Sequence, residues 1–140
     1  MDFLSPSPVT GNYYDRNMAQ EGRSGSGTLA GTESESNSYT VPAGKRAFVT
    51  LINVSYNRVT AATVDAGVTI YLDLYPTAVG TARLYLNTHF GNTVGFSKDV
   101  MLPISIYLEA GASVEAGIQN NSADGTIDWA IGLAVQEFNA

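Results

Sequence analysis

Cysteine is absent from the sequence. That removes disulfides, thiolate metal sites and thiol nucleophiles together, and leaves the compartment open. Basic residues are scarce: Lys and Arg number seven against thirteen Asp and Glu, for a formal net charge of -6. This balance argues against a nucleic-acid partner, because phosphate binding draws on clustered Lys and Arg. Lys45-Arg46 is the only adjacent basic pair, and a strand start accounts for it. His89 is the single histidine, so two-histidine metal motifs cannot form. No apolar run approaches a membrane span, which argues against a membrane partner. Residues 1–8 have neither the basic region nor the apolar core of a signal peptide. Sustained helical periodicity is missing along the whole chain.

What is present changes character near Ser38. Residues 1–38 are rich in Gly, Ser, Asn and Glu and show almost no periodic apolar pattern. Ser24-Gly25-Ser26-Gly27 reads as flexible linker, and Pro6 and Pro8 favour extended backbone. The expected organisation is an extended N-terminal arm over residues 1–38 and a β domain over residues 39–140. Two clusters break the polarity of the arm, Phe3-Leu4 and Tyr13-Tyr14. They are candidate anchors on a partner; a tail with stray apolar residues is the plainer alternative. Ordering a residue costs about 1–2 kcal/mol, and burying a large apolar side chain returns about 1.5–3 kcal/mol. Such anchors can fix short stretches of the arm, with backbone hydrogen bonds to a neighbour's sheet edge, but not all of it.

From Tyr39 onward the pattern is one of short strands. Arg46 to Tyr56 carries apolar residues in both phases: Phe48, Ile52 and Val54 in one, Ala47, Val49 and Leu51 in the other. That suggests a strand covered on both faces. Val68, Ile70, Leu72 and Leu74 alternate cleanly, as do Leu84 and Leu86. Ile104, Ile106 and Leu108 form another inward row, and Val114, Ala116 and Ile118 follow the Ala110-Gly111-Ala112 turn. The last strand, Thr126 to Phe138, sets Ile127, Trp129, Ile131, Leu133 and Val135 against the small Ala130, Gly132 and Ala134. Turn signals separate these segments. The expected fold is all-β, an antiparallel β-sandwich of jelly-roll type. A seven-stranded immunoglobulin-like sandwich is the rival, although its usual Cys-Trp-Cys spacing is missing.

Three strands repeat a local motif: Ile70-Tyr71-Leu72-Asp73, Leu84-Tyr85-Leu86-Asn87 and Ile106-Tyr107-Leu108-Glu109. The tyrosines are expected to point outward, and Tyr75 continues the row. Strand propensity alone explains tyrosine at such positions. If the strands are neighbours, Tyr71, Tyr75, Tyr85 and Tyr107 form one apolar contact surface.

Chemistry finds little support. His89 has no nucleophile motif around it and reads as a strand-end residue. Glu109, Glu115 and Asp128 are the candidate carboxylates for glycoside hydrolysis, but all occupy outward strand positions. Asn120 to Gly125 offers oxygen ligands without the carboxylate density of a calcium loop and reads as a hairpin turn. The glycine-rich stretch 22–31 lacks the phosphate-loop signature. Asn53-Val54-Ser55 and Asn120-Asn121-Ser122 match the short glycosylation sequon. No catalytic, cofactor or metal residue is assigned, and an enzyme is not expected.

The lead-in Tyr39-Thr40-Val41-Pro42-Ala43-Gly44-Lys45-Arg46-Ala47-Phe48-Val49 and the run Ile104 to Val114, followed by a hairpin and a long last strand, carry a family likeness. The chain resembles the jelly-roll cement, or decoration, proteins of tailed-phage heads. The likeness covers most of the chain, through structural motifs that fibre knobs and trimeric lectins share. It implies a virion protein on the outer capsid surface, made in the host cytoplasm. It implies as partners the major capsid protein and further copies of itself, as dimer or trimer. A carbohydrate- or receptor-binding sandwich, such as a fibre tip, is the alternative.

Overall fold

A computed structural model describes residues 19–76 and 80–140, with side chains of the first strand from Gly27 onward. Phe3, Leu4, Tyr13 and Tyr14 lie outside the described residues. Among the described residues eight strands follow one another: β1 (Ala19–Leu29), β2 (Ser34–Thr40), β3 (Lys45–Thr60), β4 (Val68–Tyr75), β5 (Ala82–His89), β6 (Ser97–Glu109), β7 (Ser113–Asn120) and β8 (Thr126–Asn139). They form two four-stranded sheets, ordered β1-β8-β3-β6 and β2-β7-β4-β5. Every neighbouring pair is antiparallel. The chain changes sheet at every connection except the β4–β5 link. That order is the jelly roll, two interleaved Greek keys.

The alternating rows supply the core. On β8, Ile127, Ile131, Leu133 and Val135 are buried, and they face Val68, Ile70, Leu72, Val114, Ala116 and Ile118 of the other sheet. Each such burial contributes about 1.5–3 kcal/mol. The two apolar phases of β3 have a different cause from the one expected. The pairing of β3 with both neighbours shifts register between Val49 and Leu51. An extra residue there inverts the phase. Ala47 and Val49 therefore point inward before the bulge, and Ile52, Val54 and Tyr56 after it. Phe48 and Leu51 are left on the outer face, so β3 is not covered on both sides.

The expected boundary at residue 38 also needs correction. Ala19–Leu29 pairs along its length with β8, and Ser34–Thr40 pairs with β7. Residues 19–38 are thus part of the sandwich and not arm. Gly27 of β1 pairs with Trp129, and a Cβ on Gly27 would sit 3.3 Å from the indole. The missing side chain makes room for Trp129.

The sandwich has two unlike edges. At one, β1 packs on β2. There Leu29 is 1% exposed and Tyr39 2%. The Tyr39 hydroxyl donates to the Glu137 carboxylate across the sheets, and the Asn37 side-chain amide donates to the Ile131 carbonyl at 3.3 Å. At the other edge β5 and β6 make no comparable contact. Inward Leu84 is 48% exposed, and Leu86, Val100, Leu102, Ile104 and Ile106 are only partly buried.

Candidate interaction surfaces

The four motif tyrosines do not form one surface. Tyr71, Tyr75 and Tyr85 lie on β4 and β5, whereas Tyr107 lies on β6 of the opposite sheet. Sheet membership is a non-local property, and a repeated local motif does not encode it.

On the β2-β7-β4-β5 sheet, Tyr71 is buried although it points away from the core. It pairs with Gly117, where a Cβ would lie 2.1 Å from the Tyr71 ring. The missing side chain lets the ring lie flat. The Arg83 guanidinium covers its other side, 4.1 Å from the centroid. Arg83 in turn grips Asp73 through two hydrogen bonds of 2.6 Å, and this pairing raises the guanidinium's proton affinity further. Burial raises the Tyr71 pKa above the ordinary value. Both ring faces of Tyr71 are therefore occupied, which removes it as a stacking platform for a sugar. Tyr85 is 68% exposed, with the Arg83 guanidinium 6.0 Å from its ring centroid.

The outer face of the other sheet carries a second aromatic group. Phe48 meets Tyr107 at 5.4 Å and Phe138 at 5.9 Å between ring centroids, and Arg46 lies over Phe138. Tyr107 is 48% exposed, and Met101, further along β6, is 62% exposed. Nearer the other end a shallow groove of about 410 Å³ is bordered by Ser55, Asn57, Ser97, Asp99, Asp128 and Ala130. The bulge at Thr50 puts Phe48 on this face, so the phase of the sequence alone could not place it.

The candidate carboxylates are dispersed. Glu115 accepts from Ser36 on one outer face. Asp128 accepts from Thr28 on the other. Glu109 pairs with Arg46 at the far end of that second sheet. They cannot act as a pair across one glycosidic bond. Among the described residues no cluster of three His, Asp or Glu could hold a metal ion.

Sequence reasoning missed the end formed by residues 30–33, 61–67, 90–96 and 121–125. Side chains sew these loops together. Asn120 donates to Ala30 and Gly125 carbonyls, and Asn92 exchanges hydrogen bonds with the Ala62 backbone. Asp124 accepts from the Thr63 amide and hydroxyl, which holds its carboxyl below the usual range. Oxygens weighed for calcium are engaged in this seam, and the stretch is not the expected hairpin turn: it carries the chain from one sheet to the other, since β7 and β8 are not paired. Beneath it Arg58 is fully buried, 3.7 Å from Asp65. Its inward phase with Val54 and Tyr56 was the available signal. Burial pushes the Tyr56 pKa up to about 12. His89 ends β5, as expected, and burial followed by nearby Lys98 lowers its pKa. Val64, Phe90 and Val94 are exposed at this end.

No family model and no curated protein matches the sequence. Solved structures do. The VP2 subviral particle of infectious bursal disease virus aligns with 98% of this chain at TM-score 0.50 and 12% identity, covering 36% of its own chain. The cyanophage Pam1 capsid asymmetric unit aligns with 98% of this chain and 99% of its own, at TM-score 0.40 and 16% identity. A carbohydrate-binding module, TmCBM61 in complex with β-1,4-galactotriose, aligns over 88% of each chain at TM-score 0.36 and 14% identity. Of the three only the first reaches a TM-score of 0.5. The likeness is one of fold. The chain spans little more than a third of the bursal disease virus proteins it matches, 38% and 36%.

Proposed function

We propose that this chain is a structural virion protein, a cement or decoration subunit on the outside of a phage head that clamps neighbouring major capsid proteins. The observation that carries the reading is the aromatic group of Phe48, Tyr107 and Phe138, with exposed Met101, on an outer sheet face. An exposed apolar patch on a sheet face suits a protein partner, whereas a small ligand asks for a concave site. The jelly-roll order and the fold shared with a viral particle protein support the same reading. The plan is most like that of the Bordetella phage cement protein.

In this reading each contact is modest, and repetition over a lattice supplies avidity. Association as a dimer or trimer presents several such faces at once. The acidic balance of -6 keeps the subunit off packaged nucleic acid and favours solubility before assembly. Its work is binding, without a catalytic step.

The test is co-sedimentation with empty heads that lack their decoration protein. The wild type is expected to occupy the shell, and the Phe48→Ser/Tyr107→Ser chain to lose at least about ten-fold in occupancy, a loss worth ~1.4 kcal/mol per site. Equal occupancy by a folded variant would remove this face from the interface. No occupancy by the wild type would overturn the capsid role.

A further inference from the structure

The outer face that carries the aromatic group is polar toward its other end. There the registers of β3 with β8 and with β6 build two rungs across three strands. Asp128, Asn57 and Ser97 form one, and Ala130, Ser55 and Asp99 form the next. These six residues border the groove of about 410 Å³. Asp128 and Asp99 stand on opposite sides of β3, one rung apart. Two strand spacings of ~4.8 Å across and two residues of ~3.3 Å along put their Cα atoms about 12 Å apart.

Each carboxylate is held through one oxygen by a neutral donor. Asp128 Oδ1 accepts from the Thr28 hydroxyl at 2.6 Å, and Asp99 Oδ1 accepts from the Asn53 amide at 3.0 Å. These bonds fix the two groups and leave the second oxygen of each to a newcomer. Among the described residues no cation pairs with either carboxylate. Lys98 also borders the groove, but its ammonium lies 5.6 Å from the Phe96 ring centroid and close enough to His89 to lower its pKa. Its charge is thus spent away from the two aspartates.

Two like charges on one sheet face, with no counterion, favour a cation between them. A metal ion asks for more ligands than two carboxylates, and no third acidic or histidine side chain completes a cluster among the described residues. The span between the aspartates is wide for a compact ammonium and suits the fork of a guanidinium. The groove is also continuous with the apolar patch: on the next rung Asn53 pairs with Met101, which is 62% exposed.

Building on the reading of the Phe48–Tyr107 face as a protein contact, we infer that the groove receives an arginine side chain of that same protein partner, its guanidinium between Asp99 and Asp128. An exposed ion pair gains little. This one is shielded by the contact around it, and it sets the register in which the partner docks.

Two experiments test this, one with a shell and one without. In co-sedimentation with empty heads, the Asp99→Asn/Asp128→Asn chain is expected to lose about five-fold in occupancy. Raising salt from about 0.05 to about 0.5 M is expected to weaken wild type at least about five-fold and this variant less than about two-fold. Equal salt responses overturn the inference. Without a shell, the full-length protein is titrated with N-acetyl-arginine methylamide and with its neutral citrulline counterpart, and backbone amide signals are followed by NMR. Arginine is expected to shift Ser55, Asn57, Asp99 and Ala130 at least five-fold more than citrulline, and the double variant, folded by its own spectrum, is expected to lose those shifts. Equal shifts from both probes, or none from arginine, overturn the inference. Wild type that ignores the heads sinks the capsid reading, whereas the NMR result judges the groove alone, so the two failures are told apart.

Discussion

The two edges of this sandwich are built from the same fold and solved differently. At the β1–β2 edge the strands are polar in sequence, yet Leu29 and Tyr39 are buried and Asn37 and Tyr39 hydrogen-bond across the sheets. At the β5–β6 edge the sequence is rich in aliphatic residues, yet Leu84 is half exposed and the β6 row only partly covered. Apolar content therefore does not mark the sealed edge. What marks it is hydrogen bonding across the gap by Tyr39 and Asn37, where the other side has the His89 ring of β5 6.3 Å from the Tyr56 ring of β3. A polar edge can be complete in itself, and an apolar edge can be waiting for an occupant.

The largest expected effect contrasts one substitution at both edges. Leu29→Ala empties a buried site and is expected to cost about 3 kcal/mol in urea unfolding. Leu84→Ala removes a half-exposed side chain and is expected to cost less than about 1 kcal/mol. Equal costs would erase the distinction between the edges.

The next effect concerns how β4 lies against β7. Gly117→Ala drives a methyl into the Tyr71 ring and is expected to cost about 2 kcal/mol. The same change in a Tyr71→Ala background is expected to cost little. An undiminished cost there would mean that the ring is not what the glycine accommodates.

Asp73→Asn weakens the two-pronged bond to Arg83. Asp73 is buried, but 41% of the Arg83 side chain is exposed, so solvent already screens part of the pair. A loss of about 1 kcal/mol is expected, with faster exchange confined to β5. A uniform change over all strands would deny Arg83 its local role.

The smallest effect is one of pH. Burial holds the His89 pKa below its ordinary value of 6.5. As pH falls below that value the unfolded chain takes up the proton before the folded one does, so stability is present above it and declines below it. Urea midpoints from pH 7.5 to 5 are expected to fall more steeply in wild type than in His89→Gln. Parallel slopes would assign the acid sensitivity elsewhere.

Much of the fold was legible because β4, β7 and β8 alternate without interruption and their inward rows are the core. β1 and β2 were not, because both are edge strands of polar composition, and the Gly-Ser run of β1 imitates a linker. The bulge at Thr50 was hidden because one inserted residue makes a single buried face look like two. The tyrosine motif was read correctly along each strand and wrongly across the fold. Its outward direction is local, but whether β6 joins β4 depends on connections that no single strand records. Arg58 was passed over, although a lone charge in phase with Val54 and Tyr56 signals a buried cation.

The most direct test of an unsealed edge is thiol labelling of single cysteines. Leu102 on β6 and Val135 on β8 both point inward, and each is replaced by cysteine in turn. The account predicts that Leu102→Cys labels at least ten-fold faster than Val135→Cys while both proteins remain folded. Equally slow labelling would show that β5 and β6 close on each other, and the contrast between the two edges would be lost.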